Sequence, residues 1–187
     1  MENGMIEMYG ERLSKDVYYL SIAEAIRLRS TCIVRIGAII VKDDQIVATG
    51  YNGSPRGTKS CLEKGFCLRR KLNIPSGTQY ELCASVHAEQ NAIINSARAG
   101  VSLLNGDMYI FGEKNKKIIK ALPCFICKKM IINAGIKRII CSIPVKEFRE
   151  DPPYFDYEIY NAKDWIKFWQ DHDITEDPDV YGKTPVK

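Results

Sequence analysis

The chain reads as an α/β protein whose helices pack on a mixed sheet, and three observations carry that prediction. Helical and strand periodicities alternate along most of its 187 residues, a pattern that lays helices on sheet faces. The composition, 45% hydrophobic and 27% charged, is that of one globular unit long enough to bury a full core. The residue types suited to chemistry fall where predicted helices begin, which leaves the strands free to build the core.

Taken in order, Val17, Leu20, Ala23 and Ile26 recur in helical steps between Leu13 and Arg29. "IGAIIVK" (36–42) and "QIVATGY" (45–51) alternate as strands, and Asp43-Asp44 supplies the tight turn of a hairpin. Residues 52–81 are rich in Gly, Pro, Ser and charge and read as a long loop region with a short helical piece. A stretch of that length needs a function or a clip, and Cys61 and Cys67 hint at the clip. A helix over 86–99 ends at Gly100. "DMYIFG" (107–112) is a strand, and "EKNKKIIKA" (113–121) a basic excursion. A second short helix over 124–134 closes at Gly135, before the strand "KRIICSI" (137–143).

After Pro144 the chain turns aromatic and acidic, and the middle of that segment reads as a helix covering one sheet face. Residues 171–187 carry few apolar anchors and read as a mobile tail. These divisions give an extension at 1–12, a domain at 13–143, a C-terminal aromatic segment at 144–170 and the tail at 171–187. Neither an internal repeat nor a second domain is visible.

Several function classes are excluded by composition. No apolar run reaches membrane-spanning length, and the N-terminus lacks the basic-then-apolar pattern of a secretory signal. A soluble, cytoplasmic protein with no membrane partner is expected. The net charge of +4, from 27 basic and 23 acidic residues, is too mild for a nucleic-acid footprint. Seven cysteines are an odd count for a disulfide scaffold, and in a reducing compartment point to metal ligands. Cys141, inside a predicted buried strand, reads as plain core.

Two half-sites complete each other. "SVHAEQNAIINSA" (85–97) places His87, one of only two histidines, at a helix entrance with Glu89 two positions on. "LPCFICKKMIINAG" (122–135) sets Cys124 and Cys127 one turn apart on one helix face, after Pro123. A helix N-terminus favours anions and so favours thiolates. One imidazole and two thiolates leave a fourth tetrahedral position open, the pattern of a catalytic rather than a structural zinc. Glu89 is then placed to take a proton from activated water and pass it on. The plainer alternative makes His87 a capping or core histidine and the thiols a buried pair. It leaves unexplained why both sets of ligand types open helices.

The signature H-x-E…P-C-x-x-C belongs to zinc nucleobase deaminases, and this chain meets it with His87, Glu89, Pro123, Cys124 and Cys127. More widely, "LRSTC" (28–32), "GAIIV" (37–41), "ATGYNGSPRG" (48–57), "CLEKGFC" (61–67), "CASVHAEQNAI" (83–93) and "PCFICKKMIINAGIKRII" (123–140) resemble the deoxycytidylate (dCMP) deaminases of the cytidine deaminase superfamily. "GYNGSPRG" discriminates within that superfamily. The resemblance implies a three-layer α/β/α sandwich with a mixed five-stranded sheet, and hydrolysis of dCMP to dUMP and ammonia.

It also implies roles beyond the zinc ligands. Asn52 is placed either to hydrogen-bond the sugar hydroxyl or simply to make an Asn-Gly turn. Arg56, Arg35 and Lys59 are the nearby cations for a phosphate. Some phage and bacterial relatives hold a second, structural zinc near this region, for which Cys32, Cys61, Cys67 and Cys83 are the candidates, against a reading of small buried hydrophobes and free thiols. Family members are activated by dCTP with Mg²⁺ and inhibited by dTTP, with Arg27, Arg29 and Asn52 the corresponding candidates here. They form homo-oligomers, built from dimers or reaching a hexamer. The chain departs from the family in the longer connection at 112–122, and in "TCIVRIG", one residue shorter than the commoner spacing. Rival readings are a tRNA adenosine deaminase, a free cytidine deaminase, and a non-catalytic zinc-stabilised binding module.

Overall fold

The computed structural model describes residues 12–75, 77–147, 153–173 and 176–177. Helix α1 (Lys15–Arg27) starts where the Ser14 hydroxyl accepts from the Val17 N–H, a local side-chain cap that frees the chain from extended structure. Strands β1 (Val34–Lys42) and β2 (Gln45–Tyr51) form the expected hairpin. Both turn aspartates adopt positive φ, 50° at Asp43 and 62° at Asp44, the conformation a two-residue hairpin turn demands.

The long loop region holds two single-turn helices, α2 (Cys61–Lys64) and α3 (Leu68–Lys71), and a 3₁₀ turn at Tyr80–Leu82. Then follow α4 (Ala88–Ala99), β3 (Asp107–Lys114), β4 (Lys117–Ile119), α5 (Phe125–Asn133), β5 (Arg138–Pro144), β6 (Phe155–Asn161) and α6 (Ala162–Asp171).

The sheet runs β2-β1-β3-β5-β6, with β4 paired to β3 off that path. Among the described strands only β3 and β5 run parallel, so the sheet is mixed. It has six strands where five were expected, and the extra one comes from the basic excursion at 113–121. There β3 continues to Lys114 and turns back, pairing Gly112 with Ile119 and Lys114 with Lys117. Asn115 and Lys116 sit at positive φ in the turn. The segment at 144–170 holds a strand as well as a helix. Its Phe155, Tyr157 and Tyr160 suit a sheet edge beside β5, whereas the sequence reading saw only the helix.

Alternation along β1 divides the core. Ile39 and Val41 pack with Tyr109, Phe111, Ile140 and α1 residues Tyr19, Leu20 and Ala23. Ala38 and Ile40 face Ala88, Ala92, Ile131, Ala162 and Trp165 on the other side. One face thus carries α1 and the other α4, α5 and α6: an α/β/α sandwich.

Two glycines set how closely the helices approach. A Cβ at Gly37 would lie 2.2 Å from the Ala23 carbonyl of α1, and one at Gly50 would lie 2.3 Å from the Ala88 carbonyl and 2.4 Å from the Ala92 nitrogen of α4. Helix α4 therefore rests its backbone on β2 within one turn of its own start, which fixes where its N-terminus points.

Most of the segment at 171–187 lies outside the described residues, as do residues 1–11 of the N-terminal extension. The tail's Asp177, however, is described and buried. It accepts from Lys128 Nζ of α5 at 3.0 Å and from Trp169 Nε1 at 3.0 Å. A paired counter-ion is an anchor that apolar patterning does not register, and this point at least is tied down.

Candidate metal centre and active site

Both ligand-bearing helices begin at their ligands. His87 is the N-cap of α4, with φ −72° and ψ 157°. Its backbone N–H donates to Gln90 Oε1 at 2.9 Å, so Gln90 serves the helix entrance and the imidazole is left for another task. Cys124 is the N-cap of α5, its side chain making no cap hydrogen bond. The sequence reading put both at helix entrances, and each lies one residue outside the helix proper.

The three donors converge. Cys124 Sγ and Cys127 Sγ each lie 3.4 Å from His87 Nδ1, and the ligand atoms all fall within 4.8 Å of one another. Zinc bonds of about 2.3 Å to sulfur and 2.0 Å to nitrogen at a tetrahedral angle require nitrogen and sulfur about 3.5 Å apart. The residues therefore fit zinc in spacing as well as donor type. No other trio among the described residues reaches that spacing.

Electrostatics match the geometry. Cys127 donates to the Cys124 sulfur, which together with the His87 contact holds Cys124 well below the ordinary thiol range, while Cys127, keeping the proton, is pushed up. Metal binding takes such protons off. At His87 burial opposes the charged form, but the Cys124 contact and the Glu89 charge outweigh it and raise the imidazole. Glu89, second residue of α4 and 5% exposed, is raised, chiefly by burial, against the lowering effect of His87. A carboxyl moved up towards neutrality and set beside a metal site can both accept and return a proton.

The loop region closes over this corner. Gly53 and Val86 exchange both backbone hydrogen bonds, at 3.1 and 2.9 Å, tying the "GYNGSPRG" loop to the residue before His87. Tyr80 stands edge-on to the His87 ring, centroids 5.0 Å apart, and the Arg69 guanidinium lies 4.8 Å above the Tyr80 ring centroid. Burial first, then the Cys124 charge, pushes the Tyr80 hydroxyl up to about 12, so it stays a donor at neutral pH. Tyr80, Arg69 and Gln90 were all missed in the sequence. They sit in or beside irregular chain where no periodicity marks a face. Tyr80, an aromatic isolated in a polar loop seven residues before His87, was the one visible signal.

Other sequence candidates fall elsewhere. Asn52 is buried, its amide oxygen accepting from Ser30 Oγ at 2.6 Å and from the Ile36 N–H at 2.8 Å, and its amide N–H donating to the Val34 carbonyl at 2.7 Å. The amide is spent on fixing the loop to β1, which favours the structural reading over the sugar contact. Arg35 alternates with Gly37 and Ile39, on the α1 face and opposite the metal corner, because strand side chains have period two. Arg56 donates to Asn95 Oδ1 at 2.6 Å, about 10 Å along α4 from its start. Lys59 is exposed.

Arg27 is buried, pairs with Glu113 at 3.0 Å and Glu24 at 3.2 Å, and stacks on Phe111. It is a core ion pair rather than a surface reserved for a triphosphate. Arg29 is exposed.

Cys32, Cys61, Cys67 and Cys83 are half-buried, unpaired neighbours. Burial and then the charges of Cys83, Cys61 and Cys67 push Cys32 up, and Cys61 is raised by burial and by its neighbours Cys67 and Cys83. Cys32, Cys61, Cys67 and Phe66 help line a cavity of about 310 Å³. The thiols gather without reaching ligand spacing.

A sandwich that presents one histidine and two cysteines from two helix entrances, with a buried carboxyl alongside, defines a zinc-hydrolase centre. Comparison with known proteins agrees. Residues 13–143 match the cytidine and deoxycytidylate deaminase zinc-binding region, and the chain belongs to that family. It is 33% identical over 130 residues to a deoxycytidylate deaminase of Schizosaccharomyces pombe, covering 69% of this chain and 37% of that protein. It is 34% identical over 131 residues to the deoxycytidylate deaminase of Mycobacterium phage D29, covering 67% of this chain and 91% of the phage protein. The apo crystal structure of dCMP deaminase from the cyanophage S-TIM5 superposes with a TM-score of 0.50 at 28% identity, over 69% of this chain and 82% of that one. The chain thus spans little more than a third of the yeast relative and most of the phage proteins.

Proposed function

We propose that this protein hydrolyses dCMP to dUMP and ammonia. The observation that carries the reading is the convergence of His87, Cys124 and Cys127 beside the buried carboxyl of Glu89. The choice of dCMP rests on the relatives named deoxycytidylate deaminase that match two-thirds of the chain.

Zinc held by those three residues would lower the pKa of a bound water to about 7 and so supply hydroxide near neutral pH. The rest belongs to the chain. Glu89 takes one proton from water as the water oxygen bonds to the amino-bearing ring carbon and passes it to the adjacent ring nitrogen. It then takes the second proton from the new hydroxyl and gives it to the amino group, so that the carbonyl forms as the carbon–nitrogen bond breaks and ammonia departs. Tyr80, a hydroxyl donor packed against His87, helps exclude bulk water from that side.

Ammonia release from dCMP, CMP, deoxycytidine and a tRNA anticodon stem, each with and without chelator, tests metal, reaction and substrate together. Chelator-sensitive release from dCMP above the others is expected. No release from dCMP would defeat the reading, and a preference for deoxycytidine or tRNA would hand it to a free cytidine or tRNA adenosine deaminase.

A cytoplasmic setting draws support from seven cysteines held as thiols rather than as disulfides; no helix among the described residues is long and apolar enough to cross a membrane. A second, structural zinc among Cys32, Cys61, Cys67 and Cys83 draws support from their mutual approach alone. Homo-oligomers and control by dCTP, Mg²⁺ and dTTP rest on the family resemblance; Arg27, committed to Glu113, lends them none.

A further inference from the structure

We propose that Arg69, held face-on over Tyr80 beside the metal corner, receives the phosphate of the nucleotide substrate and makes the site selective for a nucleotide over a nucleoside. The assignment rests on the dCMP reading above and adds the residue that reading lacked.

Three observations carry it. The first is position: Arg69 stacks at 4.8 Å on Tyr80, which stands 5.0 Å from His87, and its positive charge is felt at both rings. Arg69 therefore lies no further than about 10 Å from the metal-ligating ring. That reach is comparable with a mononucleotide measured from its reacting ring carbon to its phosphate.

The second is unsatisfied bonding. Arg69 Nη2 donates to the Pro75 carbonyl at 2.6 Å, which fixes the plane of the group, while Nε is buried and meets no acceptor. A buried charged donor without a partner is costly and calls for an explanation. Arg27 Nε is also unpaired, but its guanidinium is neutralised by Glu24 and Glu113. Among the described residues no carboxylate pairs with Arg69. An incoming dianion would supply both the missing acceptor and the missing charge, and a planar fork suits phosphate geometry.

The third is elimination. Arg56 is tied to Asn95, Arg35 lines the cavity of Cys32, Cys61 and Cys67, whose lining includes none of the metal ligands, and Arg27 is a core pair. Of the arginines considered, Arg69 alone combines nearness to the site with free donors. The long loop region, which the metal chemistry does not need, thereby gains a function.

The test compares kcat/KM on dCMP and on deoxycytidine for zinc-loaded wild type, Arg69→Gln and Arg69→Lys, together with the equilibrium affinity for dUMP. For Arg69→Gln the expected result is a loss of about 10- to 100-fold on dCMP, mainly through KM. Its dUMP affinity should weaken in parallel, with deoxycytidine turnover within about threefold of wild type. Arg69→Lys, which keeps the charge and loses the fork, should fall between. Equal fractional losses on both substrates in a folded, zinc-loaded Arg69→Gln protein would overturn the assignment while leaving the deaminase reading intact. Should Arg69→Gln fail to fold, Arg69→Lys decides: unchanged discrimination between dCMP and deoxycytidine overturns the assignment, and reduced discrimination supports it. Wild type that deaminates neither compound brings down the dCMP reading and this proposal with it.

Discussion

The metal corner and the cysteine-bearing loop region use the same residue type at the ends of short helices, yet only one is built to metal-ligand spacing. In the corner, α4 and α5 are anchored by core residues, Ala88, Ala92, Cys127 and Ile131, all fully buried. Three donors from two elements meet within 4.8 Å. In the loop region, α2 and α3 are four residues each and bury none of them. Their cysteines approach one another without reaching ligand spacing. Side chains hung from elements locked by packing hold fixed positions, while single turns outside the core hold theirs by local hydrogen bonds alone. Such a division suits an enzyme whose chemistry needs a rigid corner and whose substrate choice is set by the loops over it.

The sharpest way to break this comparison is Glu89→Gln. If the chemistry resides in the corner, kcat should fall by about 10²- to 10⁴-fold, with zinc content and thermal midpoint near wild type. A non-catalytic binding module would keep whatever ligand it binds, and near-normal ammonia release from dCMP would remove Glu89 from the reaction. Next in size is Gly50→Ala. Its new methyl group would meet the backbone of α4 at 2.3 and 2.4 Å, and backbone cannot swing aside as a side chain can. About 2–3 kcal/mol of stability should be lost, read as a lower thermal midpoint. Any displacement of His87 and Glu89 should also reduce kcat. Gly57→Ala is the matched control in the loop: with φ +80° and nothing within 4 Å, it strains only its own backbone, by about 1 kcal/mol.

The same division explains what could be read from the sequence. His87, Glu89, Cys124 and Cys127 were legible because ligand types at fixed short spacings coincided with helix starts, and a helix start orients its first residues whatever the tertiary context. The β1–β2 hairpin was legible from alternation around Asp43-Asp44. By contrast, β4 was hidden because "KKII" follows a run of lysines, and charge obscures a two-residue period. Strand β6 was hidden because its alternation is carried by aromatics mixed with acids. Arg35 and Arg56 were chosen for nearness in sequence to a loop and Arg27 from the family resemblance, and neither ground says which sheet face or carboxylate each would meet. Arg69 and Tyr80 reach the site only because the Gly53–Val86 bridge folds the loop back on α4, a pairing of residues 33 positions apart that no local pattern reports.

The loop region can be tested apart from the corner by replacing Cys61 and Cys67 together with Ser. If loop and corner are as separable as their packing indicates, the global thermal midpoint should move by the equivalent of less than about 1 kcal/mol, and the zinc bound by His87, Cys124 and Cys127 should remain. The effect should appear in recognition: KM for dCMP rises through loosening of α3 and Arg69, while turnover of deoxycytidine is nearly unchanged. Metal analysis gives a second reading. A fall from two zinc ions per chain to one would assign a structural ion to these thiols, whereas one ion in both proteins would leave them as packed thiols. Loss of all zinc would show that the two regions are not separable.

The smallest expected effect is local and depends on pH. Helix α2 is held by a reciprocal cap, in which Ser60 Oγ accepts from the Glu63 N–H at 3.2 Å and Glu63 Oε2 accepts from the Ser60 N–H at 2.8 Å. The backbone hydrogen bond first, and the Ser60 hydroxyl second, lower the Glu63 pKa below its ordinary value. A carboxylate depressed in the folded state contributes stability that is fully present above its unfolded pKa, about 4.3, and is lost as pH falls through the folded value. Acidification from pH 6 to below 4 should therefore loosen α2 before the sheet. Hydrogen exchange should show it as lost protection at the Ser60 and Glu63 amides, while those of β1 and β3 stay protected. Glu63→Gln, which retains an acceptor oxygen but no titrating charge, should remove that pH dependence. If the α2 and sheet amides instead lost protection together in both proteins, loop and corner would be one cooperative unit, and a specificity element that moves independently of the metal ligands would have no basis.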